Sequence, residues 1–126
     1  SALLIAKFLE QHKKVNQVNY PGLVSSKSHA RGKQFLCGFG GMLSFIIEGG
    51  IKTADAFISK LDIPISTASL GGVESLITRP VQTSHSLLSD EELELAGIDK
   101  SLIRMSVGIE SVNDLIDDIS QALDSI

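Results

Sequence analysis

The chain has 126 residues, of which 43% are apolar and 21% charged, and its formal net charge is −4. These proportions are typical of one folded domain with a hydrophobic core and exclude a disordered chain. The acidic balance and the lack of a lysine or arginine block argue against nucleic-acid binding. One cysteine, Cys37, excludes an internal disulfide, and no apolar run is long enough to cross a membrane. We therefore expect a cytoplasmic protein without a membrane or nucleic-acid partner.

The first half of the chain is predicted to form two helices and two strands. Helical spacing of apolar residues predicts a helix over Ser1–Lys14, and alternation predicts a strand over Val15–Tyr20. A short helix is predicted near Ser28–Phe35, and the apolar run Met42–Ile47 predicts a buried strand. The glycine-rich segment Gly38–Gly41 precedes that strand and lacks a lysine-hydroxyl ending, so we favour a tight turn over a phosphate loop.

The second half is predicted to contain three helices and a strand, joined by polar loops. An amphipathic helix spans Ile51–Leu61, a glycine-bearing loop spans Ser69–Leu76, a capping box opens a short helix at Ser89–Glu92, an apolar run spans Leu102–Glu110, and Ser111 caps the last helix. The order helix, strand, strand, helix, strand, helix predicts an α/β (α+β) sandwich, in which a small sheet carries helices mainly on one face.

Arg104 stands inside the apolar run Leu102–Glu110. A guanidinium in a buried strand is costly to desolvate unless it meets an anion or a set of acceptors. One interpretation is a structural ion pair with an internal carboxylate such as Glu74 or Glu110. The other is a pocket arginine whose planar fork binds a carboxylate of a ligand. The pattern alone leaves both open.

The remaining candidates carry weaker signals. His85 lies between Ser84 and Ser86 and has the residue types of a catalytic triad, but no nucleophile elbow or ordered acidic partner accompanies it. Glu74 is flanked by apolar residues, and we favour a structural carboxylate that accepts backbone hydrogen bonds over a catalytic base. Cys37 is interpreted as a small apolar filler. No spacing of histidine, cysteine or acidic residues predicts a metal site.

Four blocks of the sequence, taken together and in order, resemble one family. They are Tyr20-Pro21-Gly22-Leu23, the segment Gly38–Phe45, the segment Ser69–Leu76 and the segment Leu102–Glu110. The chain is similar to the carboxy-terminal domain of the pyridoxal-phosphate-dependent trans-sulfuration family, which includes cystathionine γ-synthase, the cystathionine lyases and methionine γ-lyase. The resemblance covers essentially the whole chain. It implies a small, mostly antiparallel sheet, as in the small domain of aspartate-aminotransferase-like enzymes.

The resemblance also implies roles for individual residues. Arg104 matches the arginine that binds the α-carboxylate of the substrate, and Ser69 and Leu70 match the loop that helps to hold the same group. Ser84 falls where the family usually has a threonine near the substrate pocket, so the hydroxyl is kept. Ala68 occupies a variable position that shapes the side-chain end of the pocket, which leaves the reaction subtype open.

The resemblance also implies that the cofactor-binding residues lie outside this chain. The lysine that binds pyridoxal 5′-phosphate, and the groups that hold its ring and phosphate, belong to the family's larger amino-terminal domain. Residues 1–126 would then be a single carboxy-terminal domain, a piece of an enzyme that does not catalyse alone. The implied partners are that amino-terminal domain, a sulfur amino acid (cystathionine, a homoserine ester, methionine or cysteine) and the other subunits of a homotetramer. The alternative is a free-standing domain that binds a partner or an amino acid without catalysis.

Overall fold

The computed structural model describes residues 1–126 and contains five α-helices and five strands. In chain order they are α1 (Ala2–Gln11), β1 (Val15–Asn19), α2 (His29–Phe35), β2 (Met42–Ile47), α3 (Gly50–Ser59), β3 (Ile65–Ser66), β4 (Leu76–Thr78), α4 (Asp90–Leu95), β5 (Ile103–Ser106) and α5 (Val112–Asp124), with one 3₁₀ turn at Pro80–Gln82. None of the helices has the length and apolar character that crossing a membrane requires.

The five strands form one sheet in the order β1-β2-β5-β4-β3. All pairs are antiparallel except β3 with β4, so the predicted mostly antiparallel sheet is confirmed. β5 is the central strand, and Arg104 lies opposite Ser44 of β2 on one side and Thr78 of β4 on the other.

The hydrophobic core lies between one face of the sheet and the helices α1, α3 and α5. β2 shows how the two faces differ in burial. Its residues Leu43, Phe45 and Ile47 are buried, while the residues between them are half-exposed, because side chains alternate between the faces. Phe45 meets Phe57 of α3 edge to face with ring centroids 5.8 Å apart. The predicted sandwich with its helices on one face is therefore confirmed, and the opposite face, here called the outer face, is free of these helices.

Local sequence signals explain where the helices begin. At α4 the Ser89 side chain accepts a hydrogen bond from the Glu92 amide, and the Glu92 carboxylate accepts one from the Ser89 amide, so the predicted capping box is confirmed. Ser111 caps α5 by accepting a hydrogen bond from the Asp114 amide. Gly49, with φ of 97°, makes the left-handed turn between β2 and α3.

Two strands differ most from the prediction. The strand expected over Leu102–Glu110 is confined to Ile103–Ser106, because Gly108 and Ile109 lie against the segment that precedes β4 and bond to it. β4 itself was not expected, since Leu76–Thr78 is only three residues long and follows a polar loop. It is a strand because it pairs with β5 on one side and β3 on the other.

Candidate functional site

The outer face of the sheet positions Arg104. Side chains alternate along a strand, and the core takes Ile103 and Met105 of β5, so Arg104 and Ser106 project from the outer face. Arg104 is half-buried there.

Arg104 donates from one guanidinium nitrogen to two backbone carbonyls. Its Nη2 lies 2.9 Å from the carbonyl oxygen of Ala68 and 3.1 Å from that of Ser69. No carboxylate of the chain pairs with it, so the interpretation as an internal ion pair is wrong. The Nη1 and Nε donors make no hydrogen bond within the chain, which leaves part of the fork available to a ligand.

The segment 67–75 connects β3 to β4 and lies beside Arg104. It is here called the carboxylate loop, after the role that the family resemblance implies for Ser69 and Leu70. Ser69 and Leu70 are exposed, and their backbone N–H groups have no acceptor within the chain. The next amide, Gly71 N–H, donates to Oγ of Ser106 at 2.8 Å. The structure thus brings Ser69 next to Arg104, with Leu70 following it in the loop, and the role of the three in binding a carboxylate stays a prediction.

The base of the carboxylate loop is held by Glu110, not by Glu74. The Glu110 carboxylate accepts hydrogen bonds from the amide and the hydroxyl of Ser75, at 2.6 and 2.8 Å, and Gly108 N–H donates to the same hydroxyl. Glu74 is exposed and accepts no hydrogen bond, so the structural role expected of it was assigned to the wrong carboxylate. Desolvation raises the pKa of Glu110, but bonds from the Ser75 amide, its own amide and the Ser75 hydroxyl outweigh it, and the net pKa is lowered.

Ser84 is exposed and lies beyond the 3₁₀ turn that follows β4. Its hydroxyl bonds to Nδ1 of His85 at 2.8 Å and makes no hydrogen bond to Arg104 or to the carboxylate loop. No carboxylate orients the His85 ring, so the pair lacks the third member of a triad. The predicted contribution of Ser84 to a substrate pocket stays a prediction.

The cavities of the chain lie elsewhere. Four crevices are present, and the largest, of about 640 Å³, is bordered by the end of β1 and the segment 25–28. None is lined by Arg104, Ser69, Leu70 or Ser84. The pocket that the second interpretation of Arg104 implies is therefore not formed by this chain by itself, and the site is an open surface. The chain has no cluster of three or more histidine, cysteine or acidic residues able to hold a metal ion.

Sequence reasoning missed a second arginine. Arg79 is 5% exposed, and its Nε and Nη2 bind the two carboxylate oxygens of Asp55 in α3 at 2.7 and 3.0 Å. Its Nη1 donates to the Lys100 carbonyl at 2.8 Å. The sequence contained the same signal for both arginines. Arg79 follows the apolar pair Leu76-Ile77 and Thr78, just as Arg104 follows Ile103. Arg79 joins α3, the end of β4 and the approach to β5.

Comparison with known proteins places these observations in a family. Residues 1–124 match the family described as Cys/Met metabolism PLP-dependent enzyme. Cystathionine gamma-lyase of Dictyostelium discoideum is 46% identical over 124 residues, which are 98% of this chain and 32% of that protein. The crystal structure of cystathionine gamma synthase from Xanthomonas oryzae pv. oryzae in complex with cystathionine superposes with a TM-score of 0.94 at 42% identity. The superposed region covers 98% of this chain and 32% of that one.

A third relative bears on the cofactor. The structure from Campylobacter jejuni assigned as an O-acetylhomoserine (thiol)-lyase contains N′-pyridoxyl-lysine-5′-monophosphate, and 98% of this chain aligns with 30% of it at 39% identity and a TM-score of 0.92. A pyridoxal phosphate joined to a lysine requires a lysine at the site. Neither the outer face of the sheet nor the carboxylate loop carries one, so these residues do not fit the cofactor itself. The chain spans about a third of the length of these relatives, and it belongs to the family of pyridoxal-phosphate-dependent enzymes of cysteine and methionine metabolism.

Proposed function

We propose that this chain is the carboxy-terminal, substrate-carboxylate-binding domain of a pyridoxal-phosphate-dependent trans-sulfuration enzyme. The enzyme would be of the cystathionine γ-synthase or cystathionine lyase type and would act on a sulfur amino acid by β- or γ-elimination or replacement. The observation that carries the proposal is the hydrogen bonding of Arg104. It is held in place by two neutral carbonyls and keeps two unpartnered donor nitrogens and its full charge.

The surroundings of Arg104 support an anionic ligand. The unpartnered N–H groups of Ser69 and Leu70 and the Ser69 hydroxyl lie on the stretch of loop that Arg104 contacts. Backbone amides, a hydroxyl and a guanidinium are the donors that a carboxylate accepts most strongly. No carboxylate pairs with Arg104, so the local charge is positive and favours such a ligand.

Because the site is open, a second protein surface is expected to cover it. A site that binds a small ligand normally buries most of its surface in a cleft, and here no cavity adjoins Arg104. We propose that the amino-terminal domain of the same enzyme supplies the opposite wall and holds pyridoxal phosphate. The cofactor would serve there as the electron sink for chemistry at the substrate's Cα. The part of this chain is to bind the α-carboxylate and thereby fix the orientation of the substrate. The parent enzyme would be a cytoplasmic homotetramer.

The test is substrate binding by variants of Arg104 in the intact enzyme. Arg104→Ala should raise the KM for L-cystathionine about 10- to 100-fold, because a charge-assisted hydrogen bond to the substrate carboxylate is lost. Arg104→Lys should recover part of the loss, since a point charge cannot reproduce the fork. Arg31→Ala is the matched control, because Arg31 is an exposed arginine on α2. An unchanged KM in Arg104→Ala would refute the proposal.

A further inference from the structure

Ser106 is the second side chain of β5 that contacts the carboxylate loop. It lies two residues after Arg104 and therefore projects from the same face of the sheet. It is only 3% exposed, and its Oγ accepts a hydrogen bond from Gly71 N–H at 2.8 Å. Arg104 donates to the carbonyls of Ala68 and Ser69. Two neighbouring outward side chains of one strand thus hold the loop segment 68–71, one as donor and the other as acceptor.

The position of the Gly71 contact matters because the chain turns there. Gly71 has a φ of 73°, in the left-handed region that favours glycine. Arg104 binds the carbonyls of the Ala68–Ser69 and Ser69–Leu70 peptide groups, whose N–H groups bond to nothing in the chain. Because each peptide group is planar, these contacts fix both of them, and Ser106 fixes the next peptide group through the Gly71 N–H, at the turn.

The rest of the loop is fastened independently of Ser106. At its base, Ser75 is bound by Glu110, and the Ser75 carbonyl accepts from Ile65 N–H. Near its start, Thr67 N–H donates to the carbonyl of Ile77. Removing the Ser106 hydroxyl should therefore release the tip of the loop while its two ends and the sheet stay in place.

We propose that Ser106 is a positioning residue, which holds the tip of the carboxylate loop so that Ser69 and Leu70 face the ligand bound by Arg104. This inference rests on the proposed function and deepens it. Ser106 does not touch the substrate. It acts through the Gly71 amide.

The experiment compares three serine variants in the intact enzyme. Ser106→Ala should raise the KM for L-cystathionine about 3- to 10-fold, the effect of one lost hydrogen bond, with kcat changed by less than about twofold. Ser106→Thr keeps the hydroxyl and should restore most of the affinity. Ser101→Ala is the matched control, because Ser101 is also buried, at 4% exposed, and flanks β5, but its hydroxyl binds Asp99. Its KM should not change.

Amide hydrogen exchange of the 126-residue chain gives a readout that a general loss of stability would not mimic. Gly71 N–H should exchange faster in Ser106→Ala and at the wild-type rate in Ser101→Ala. If Ser106→Ala does not fold, Ser106→Cys is measured instead, because it keeps the volume but offers only a weak acceptor.

The outcomes separate this inference from the proposed function. A higher KM in Arg104→Ala together with an unchanged KM in Ser106→Ala would overturn the positioning role alone. Equal increases in Ser106→Ala and Ser101→Ala would also overturn it, because they would reflect lost stability. An unchanged KM in Arg104→Ala would overturn the proposed function itself.

Discussion

Gly108 allows the sharpest stability prediction, because the space for a side chain there is already filled. A Cβ on Gly108 would lie 2.5 Å from the carbonyl carbon of Glu74 and 2.6 Å from Oε2 of Glu110, and it would also meet the carbonyl oxygen of Val73. Two of these atoms belong to the backbone, which no rotamer change can move. Gly108→Ala therefore has to displace the base of the carboxylate loop from β5.

The size of the effect follows from what the displacement strains. Overpacking of this kind costs about 1–3 kcal/mol. The same movement stretches the bonds from Ile109 N–H to the Val73 carbonyl and from Ser75 N–H to Glu110, each of which contributes about 1 kcal/mol. We expect the free energy of unfolding to fall by about 2–4 kcal/mol. For a domain of this length, that lowers the melting temperature by about 8–16 °C.

Thermal unfolding of the 126-residue chain, followed by circular dichroism, measures this effect. Gly38→Ala is the control, because a Cβ there would meet no atom within 4 Å and its φ is not positive. Its melting temperature should be unchanged or slightly higher, since alanine restricts the unfolded chain more than glycine does. A Gly108→Ala chain that melts within about 2 °C of the wild type would refute the packing argument.

Three further outcomes are expected. Arg79→Met should lower the free energy of unfolding by about 1–3 kcal/mol in urea titrations. Asp55→Asn should cost more, because it leaves the guanidinium of Arg79, which is 5% exposed, without its counter-charge; a smaller cost for Asp55→Asn would contradict the assignment of Arg79 as the buried partner. Because the pKa of Glu110 is lowered in the folded state, its carboxylate stabilises the fold fully above about pH 4.3, and this stabilisation is lost as the pH falls through the folded-state pKa. Ser75→Ala should therefore unfold at a higher pH than the wild type in acid titrations. An unshifted acid transition would contradict this linkage. Pyridoxal phosphate added to the 126-residue chain should give no stoichiometric complex that survives dialysis, and a persistent yellow complex would contradict the assignment of the cofactor site to another domain.

Local signals were sufficient for most of the fold. The bounds of β2 follow from one apolar run between glycines, and α4 begins where its capping box predicts. What the sequence could not reveal depends on pairing between distant segments. Leu76–Thr78 is too short to signal a strand and becomes one only because β5 and β3 lie beside it.

The sequence likewise singled out some residues of the candidate site and missed others. An arginine in an apolar strand marked Arg104 without any structure, and the family resemblance singled out Ser69 and Leu70. The choice between Glu74 and Glu110 as the structural carboxylate was not accessible, because both flank loop residues in sequence and only the approach of β5 to the loop decides between them. The hydroxyl of Ser106 escaped notice for the same reason, since its partner is 35 residues away.

Arg79 and Arg104 show how acceptor chemistry separates a neutralised structural arginine from one whose charge is uncompensated. All three guanidinium nitrogens of Arg79 are engaged, and a carboxylate of the chain neutralises its charge. Arg104 is oriented by carbonyls that carry no net charge, so its unit charge is uncompensated. An anion at 4 Å from such a charge gains roughly 4 kcal/mol at the effective dielectric of about 20 that applies near a protein surface. Arg79 offers a visiting carboxylate no comparable gain, because Asp55 already occupies its fork. The proposed attraction of Arg104 for a substrate carboxylate therefore depends on the neutrality of the loop carbonyls that hold it.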